Sequence, residues 1–278
     1  NVWNGKEFSN VEIKKTGNMT ELIKVYLKDG TSLSCTKYHK FYVQIAYFDK
    51  RRWGGDIINS NVVHTIEAQN LKSGMKIIRC DFPIIDNEKH LKFAYTHGFA
   101  SGSKTYIKKE GNPQITLSEK KANLLRYLDV IESKEIIYRS YRKIDKSRIK
   151  TIAILPKKLR SKSFVPINYS LKSKLEWLSG LADAIGIIAH KKSLQFLHRN
   201  KKSCYKIKLL LQTCGVVSTI TMKNRNFSKT TTNIYHIVQI PSIGIKKLFD
   251  LGFSPKRLKI EQYTKYKSAI PFYKIDRI

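Results

Sequence analysis

A chain of 278 residues, 41% hydrophobic and 11% aromatic, is long for one domain and can bury two or three cores. No run of about 18 apolar residues occurs and no basic-then-apolar leader precedes the rest, which excludes a spanning helix and predicts an intracellular protein. Lys+Arg 53 against Asp+Glu 21 leaves a formal net charge of +32, spread along the chain, which favours nucleic acid over a membrane surface as partner.

Residues 1 to about 85 read as strands and turns. Val11 and Ile13, then Leu22, Val25 and Leu27, form short apolar runs broken at Gly17 and at Asp29-Gly30, a hairpin signal. Leu33 to Thr36 leads through Lys37-Tyr38-His39-Lys40 into the apolar-aromatic stretch Phe41 to Phe48. Glu67 to Ile78 reads as a turn around Gly74 feeding another strand. The whole is predicted to be a small all-β unit. Cys35, Cys80, Cys204 and Cys214 form no CxxC pair, so reduced thiols are expected rather than disulfides or zinc.

Asp86 to His90 is a polar hinge, after which the composition changes. Tyr95 to Tyr106 reads as a helix, and Thr105–Ile107 with Gln114–Leu117 as a strand pair across the turn cluster Glu110 to Pro113. Ser118 to Ser133 is predicted helical, capped by Ser118, with Leu124, Leu125, Leu128 and Ile131 on one face. Strands are expected at Ile136–Tyr141 and Arg148–Leu155, then a basic connector from Lys157 to Ser163. Leu175 to Ile188 reads as a second helix, and Gly186 to Leu197 as two strands turning at Lys191 to Ser193. A helix over Ser203–Cys214, strands at Val216–Met222 and Asn233–Ile240, and a helix over Pro241–Leu251 complete the pattern. The basic stretch from Ser254 ends in alternating Tyr273, Ile275 and Ile278, predicted to return to the first sheet.

The two long helices share a design. Gly98 and Gly102 are four apart on the first, as are Gly180 and Ala184 on the second, with a constant offset of 82 residues. Small residues at that spacing let two helices approach backbone to backbone, and a repeat suggests two halves meeting along them. Leu178 to Gly186, LSGLADAIG, resembles the LAGLIDADG signature of homing endonucleases, and Thr96 to Lys104 resembles its degenerate first copy. The resemblance implies an αββαββα module over roughly residues 90 to 255, whose paired helices meet at the DNA and hold Mg²⁺ through one acid each. Ser103 and Ile185 occupy those acid positions here, and Asp183 the position that is usually structural.

Thr36-x-x-His39, after a strand and before an aromatic strand, is similar to the second conserved block of the Hint splicing domain of inteins. On its own a histidine there more often serves structure. Asn4 to Ser9 and Leu71 to Ile77 look like inteins lodged in ribonucleotide reductases. The resemblance implies that Thr36 and His39 polarise the upstream peptide carbonyl and protonate its nitrogen, without a cofactor. It also implies a flanking host protein (exteins), such as ribonucleotide reductase, as partner. An intein begins with a Cys or Ser nucleophile and ends in His-Asn. This chain begins Asn1-Val2-Trp3 and ends Asp276-Arg277-Ile278, so as written it is expected not to splice itself.

The expected fold is therefore α+β and multidomain. An all-β Hint-like domain (1–88, rejoined by 256–278) is split by a pseudo-twofold LAGLIDADG-like domain (89–255). Candidate contacts to double-stranded DNA are Lys104, Lys108, Lys109, Lys191, Lys192, His198, Arg199, Lys201, Lys202, Lys223, Arg225 and Lys229. Ser103 is a weak ligand and Ile185 none, so strand cleavage is expected to be lost or impaired. Two alternatives stand beside this: an active nuclease using other acids such as Asp183 or Glu176, or a structural or DNA-binding insert without chemistry.

Overall fold

The computed structural model describes residues 1–15, 18, 21–44, 47–48, 57–58, 63–103, 105–106, 111–139, 147–157, 159, 163–189, 193–226, 232–259 and 272–278. Strands β1 (Val2–Trp3), β2 (Phe8–Ser9), β3 (Ile23–Leu27), β4 (Ser32–Cys35), β5 (Lys40–Gln44), β6 (Tyr47–Phe48), β7 (Ile57–Ile58), β8 (Val63–Glu67) and β9 (Lys76–Ile78) come first. Helix α1 (Ala94–Gly102), β10 (Thr105–Tyr106), β11 (Gln114–Ser118), the one-turn α2 (Glu119–Ala122), β12 (Glu132–Arg139) and β13 (Ser147–Ile154) follow. Then come α3 (Leu171–Ile185), β14 (Gly186–Ala189), β15 (Ser193–His198), α4 (Lys201–Thr213), β16 (Thr219–Asn226), β17 (Thr232–Pro241), α5 (Ser242–Asp250) and β18 (Phe272–Arg277). The fold is mixed α/β. No helix among the described residues is long and apolar enough to cross a membrane.

The chain divides into two compact units, Asn1–Pro83 with Thr219–Thr221 and Lys267–Ile278, and Ile84–Ser218 with Met222–Tyr266. Residues 84–88 and 256–259 thus group with the second unit, where a break at 88/89 and a return from 256 were expected.

The first unit is built on a six-stranded sheet in the order β4-β3-β18-β9-β5-β8. Strand β18 pairs antiparallel with β3 through Ile275 and Leu27 and with β9 through Tyr273 and Ile77, as the alternation near the C-terminus predicts. Asp29-Gly30 turns the β3–β4 hairpin: Gly30 has φ +85°, and the Asp29 carboxylate accepts the Thr31 N–H at 3.0 Å. A left-handed glycine closing a three-residue loop matches the twist of the flanking strands. Val25, Leu27, Phe41, Val43, Leu71, Ile77 and Ile275 form the core.

The second unit repeats one plan twice. Helix α1 precedes an antiparallel sheet β10-β11-β13-β12, and α3 precedes a sheet β14-β15-β17-β16. Each sheet turns alternate apolar residues under the helices: Ile115, Leu117 and Ala153 in one, Leu194, Phe196, Val238 and Ile240 in the other, all buried. The N-terminus of α3 is tied down by Ser170, whose hydroxyl accepts the Ser173 N–H, and by Asp86, whose carboxylate accepts the Leu171 N–H at 2.7 Å.

The halves differ after their second strands. Asn200 caps α4 by accepting the N–H groups of Lys202 and Ser203, and Cys204, Ile207, Leu210 and Leu211 bury one face of its 13 residues. The helix predicted over Ser118–Ser133 is instead one α-turn and a 3₁₀ turn, Leu125–Tyr127, with a strand from Glu132. The Ser118 side chain makes no capping bond. Thr96 captures both the N–H and the carboxylate of Asp129, at 2.8 and 2.7 Å, and Ile131 N–H bonds Ile154 O. Those distant partners pull the chain out of the helix and into the sheet.

Candidate nucleic-acid interface

Helices α1 and α3 meet through their glycines. A Cβ built on Gly98 would lie 1.8 Å from the Trp177 carbonyl oxygen, and one on Gly180 would lie 2.0 Å from that of Tyr95. The contact is reciprocal: Trp177 and Tyr95 are offset by 82 residues, as are the two glycines. Gly102 faces Ala184 and Ile185, its built Cβ lying 2.7 Å from the Ala184 Cβ. No side chain fits at these crossings, which brings the C-terminal ends of the helices side by side.

Those ends carry the two positions of interest. Ser103 follows α1 as its C-cap, with its N–H bonded to Phe99 O and Ala100 O. Ile185 is the last residue of α3 and packs, partly buried, against the core containing Phe99, Leu117 and Ala184. It extends the apolar interface.

Asp183, two residues before the end of α3, is fully buried. One carboxylate oxygen accepts the Tyr95 hydroxyl and the Lys256 N–H, both at 2.6 Å, and the other accepts the Arg257 N–H at 2.7 Å. The Arg257 guanidinium donates to the carbonyls of Ala182, Asp183 and Gly186, at 3.0, 2.7 and 2.7 Å. Lys121 donates to the Ala184 carbonyl at 2.5 Å. Two cations thus complement the negative pole of α3. Burial lowers the Lys121 pKa, and Arg257 lowers it further while Asp183 opposes. Burial raises the Tyr95 phenol well above its ordinary value, helped by the hydrogen bond and charge of Asp183.

Arg257, Lys121 and Tyr95 escape the sequence reading because no local pattern marks them: Arg257 is 74 residues from the aspartate it engages. Among the described residues, no group of three or more His, Cys, Asp or Glu side chains converges as a metal site would require.

Away from the helices each sheet has a free face. On the second it carries Ile187, Gln195, Leu197 and Gln239, with Ser193 and Ile237 buried among them, and runs out to Tyr235 and Arg199, whose guanidinium lies 5.6 Å from the Tyr235 ring centroid. On the first it carries Gln114, Thr116, Lys150 and Ile152. Arg199 is therefore on a free face, and Lys223 is exposed on β16.

His198 is a correction. Its side chain points to the covered face, where it lines a small cavity with Ser101, Trp177, Leu181 and Ser203, because strand alternation puts it in phase with Leu194 and Phe196. Lys201 and Lys202 are likewise not ribbon residues: they open α4, which packs on the covered side. Arg225 lies in β16 and its side chain falls outside the described residues, as do Lys104, Lys108, Lys109, Lys191, Lys192 and Lys229.

In the first unit, Thr36 to His39 form a tight turn between β4 and β5, with His39 N–H on Thr36 O at 3.1 Å. Ala68 and Gln69 brace it by donating to the His39 and Lys37 carbonyls. The exposed His39 ring stands edge-on to Phe41 at 5.0 Å, and Thr36 is half-buried. A hydroxyl and an imidazole are thus presented from one rigid turn at the sheet's end.

No family model matches the sequence. The chain is 34% identical, over 294 aligned residues, to the ribonucleoside-diphosphate reductase large subunit of Invertebrate iridescent virus 6. That match takes in 100% of this chain and 30% of the reductase subunit's length. Among solved structures it is similar to the homing endonuclease I-DmoI in complex with DNA and Mn, with 17% identity and TM-score 0.38, covering 58% of this chain and 96% of that one. Full-length DUF199/WhiA from Thermatoga maritima gives 16% identity and TM-score 0.41, covering 58% of this chain and 55% of that one. These structural likenesses are partial. Along its whole length the chain is similar to a segment of a reductase large subunit.

Proposed function

We propose that the second unit is a LAGLIDADG-type module that binds double-stranded DNA along the free faces of its two sheets and does not cut it. The reciprocal glycine packing of α1 and α3 carries the reading, because it relates two sheets of one plan by an approximate twofold, as a DNA site with two half-sites requires. The net charge of +32 supports a polyanionic partner.

Cleavage needs a divalent metal held by hard oxygen ligands, which polarises phosphate and activates water. The residues at the helix ends do not fit Mg²⁺. Ile185 offers hydrocarbon, Ser103 only a neutral hydroxyl, and Asp183 has both oxygens engaged by Tyr95, Lys256 and Arg257. Lys121 and Arg257 add positive charge at the carbonyl end of α3, which disfavours a further cation there.

The first unit is, on this reading, the Hint-like part of an intein-type insert in a ribonucleotide reductase. Thr36 and His39 act on the upstream peptide bond when host segments flank the chain, and the insert resides with its host in the cell. The likeness to part of a reductase subunit supports that context.

The test is gel retardation of duplexes spanning the uninterrupted reductase gene, in EDTA, across a salt series. Retardation that weakens steeply as salt rises is expected. Absence of retardation at low salt overturns the reading.

A further inference from the structure

We infer that the free face of the second sheet recognises A·T base pairs in one half of the DNA site through Gln195 and Gln239. This rests on the DNA-binding reading above and deepens it.

Strand alternation fixes which side chains share that face. Leu194 pairs with Ile240 and Phe196 with Val238 on the covered side, all four 0% exposed, so Gln195 and its direct partner Gln239 stand on the other. Gln195 Nε2 donates to Gln239 Oε1 at 3.4 Å, and Gln239 Nε2 donates to Ser193 Oγ at 3.4 Å. The row orients both amides and occupies one N–H of Gln195. Among the described residues the Oε1 of that amide takes no other side-chain donor; with Gln239 on the remote N–H, an acceptor is left beside a donor. Adenine presents the complementary pair in the major groove, N6 as donor and N7 as acceptor.

The neighbours suit the same groove. Ile187 faces Gln195 from β14, 49% exposed, and an apolar group beside the amide suits the thymine methyl. Further along the face, Arg199 braces its guanidinium on Tyr235, 3.3 Å from the hydroxyl, where a phosphate contact would set the register. The first sheet pairs no two glutamines between β11 and β13: Gln114 faces Ile154 and Thr116 faces Ile152. The two halves therefore ask for different base pairs, and the preferred site is not a palindrome despite the twofold plan of the protein.

The experiment is selection of duplexes from a randomised pool by the full chain in EDTA, then titration of the selected and an unrelated duplex. The expected site has an A·T block of a few base pairs in one half only. Gln195→Ala with Gln239→Ala should lose that block and bind the selected duplex about 10- to 100-fold more weakly, leaving the unrelated duplex and the melting temperature unchanged. Gln195→Glu, which replaces the donor by acceptors, should move the preference toward C·G at the same position. A selected site that the double alanine variant still prefers overturns the inference while leaving DNA binding intact. So does a site with no A·T block in either half. No binding to any duplex overturns the underlying reading as well.

Discussion

Tyr95 donates its hydroxyl to the buried carboxylate of Asp183 at 2.6 Å, across the interface between the two repeat helices. The same carboxylate holds the backbone of Lys256 and Arg257, so one residue fastens α1, α3 and the segment after α5. Removing it leaves three donors without their acceptor, while the Arg257 guanidinium keeps its backbone carbonyls. Asp183→Ala is expected to destabilise the second unit by about 3–5 kcal/mol, measured by urea unfolding. Tyr95→Phe, which deletes one donor and leaves two, should cost about 1–2 kcal/mol.

That hydrogen bond also sets an alkaline limit. The Tyr95 pKa is raised in the folded state, chiefly by burial and then by Asp183, above the ordinary value of 10.0. The folded protein therefore holds this proton where the unfolded chain has released it. Its contribution is complete below about pH 10 and falls as pH climbs toward the folded value. Tyr273 in the first unit, pushed up to about 12, acts in the same sense between pH 10 and 12. Lys121 and Lys174, both lowered by burial, act oppositely just below 10.5. Comparing Tyr95→Phe with the parent cancels the shared groups. The variant's melting temperature should decline less steeply above pH 10, and parallel curves would remove the assignment.

The glycines make a graded series. Gly98→Ala and Gly180→Ala drive a methyl into a backbone carbonyl that cannot move without parting the helices. Each should cost about 3 kcal/mol or more. Gly102→Ala meets the Ala184 Cβ at 2.7 Å and should cost less, since side chains at the helix ends can shift. Gly111→Ala meets nothing within 4 Å but has φ +137°, so its cost is only backbone strain, about 1 kcal/mol. Thermal unfolding of the four variants checks the order.

Much of this architecture is legible along the chain, for local reasons. The small-residue spacing at Gly98/Gly102 and Gly180/Ala184 declares a close approach, because backbone proximity excludes bulky side chains. Asp29-Gly30 declares its turn because only the left-handed φ closes that loop. The legibility stops where the deciding partner is remote. Ser118 to Ser133 has a helical apolar pattern, yet Thr96 takes Asp129 and the strand wins. His198 looks like a ribbon tip, and only the register with His236 shows that it faces the helices. At the site, Ser103 and Ile185 can be read directly from the chain. The cations at the end of α3 cannot, since Lys121 and Arg257 arrive from elsewhere in the chain.

Arg199 separates the interface from the helical layer. It lies on the free face beside Tyr235, whereas Lys201 opens α4. Arg199→Ala should flatten the slope of log K against log salt by about 1, because one phosphate fewer is neutralised. Lys201→Ala should leave the slope as it is. A salt series on one duplex measures both.

The most direct measurement places the full chain with a plasmid carrying the uninterrupted reductase gene, in Mg²⁺ and in EDTA, and follows binding and strand breaks together. The expected result is a complex in both buffers, weaker in Mg²⁺ because that ion competes for the phosphates, with no nick or double-strand break in either. A break at a defined site that appears only with Mg²⁺ would contradict it, and would mean that acids other than Asp183 hold a metal at the helix ends.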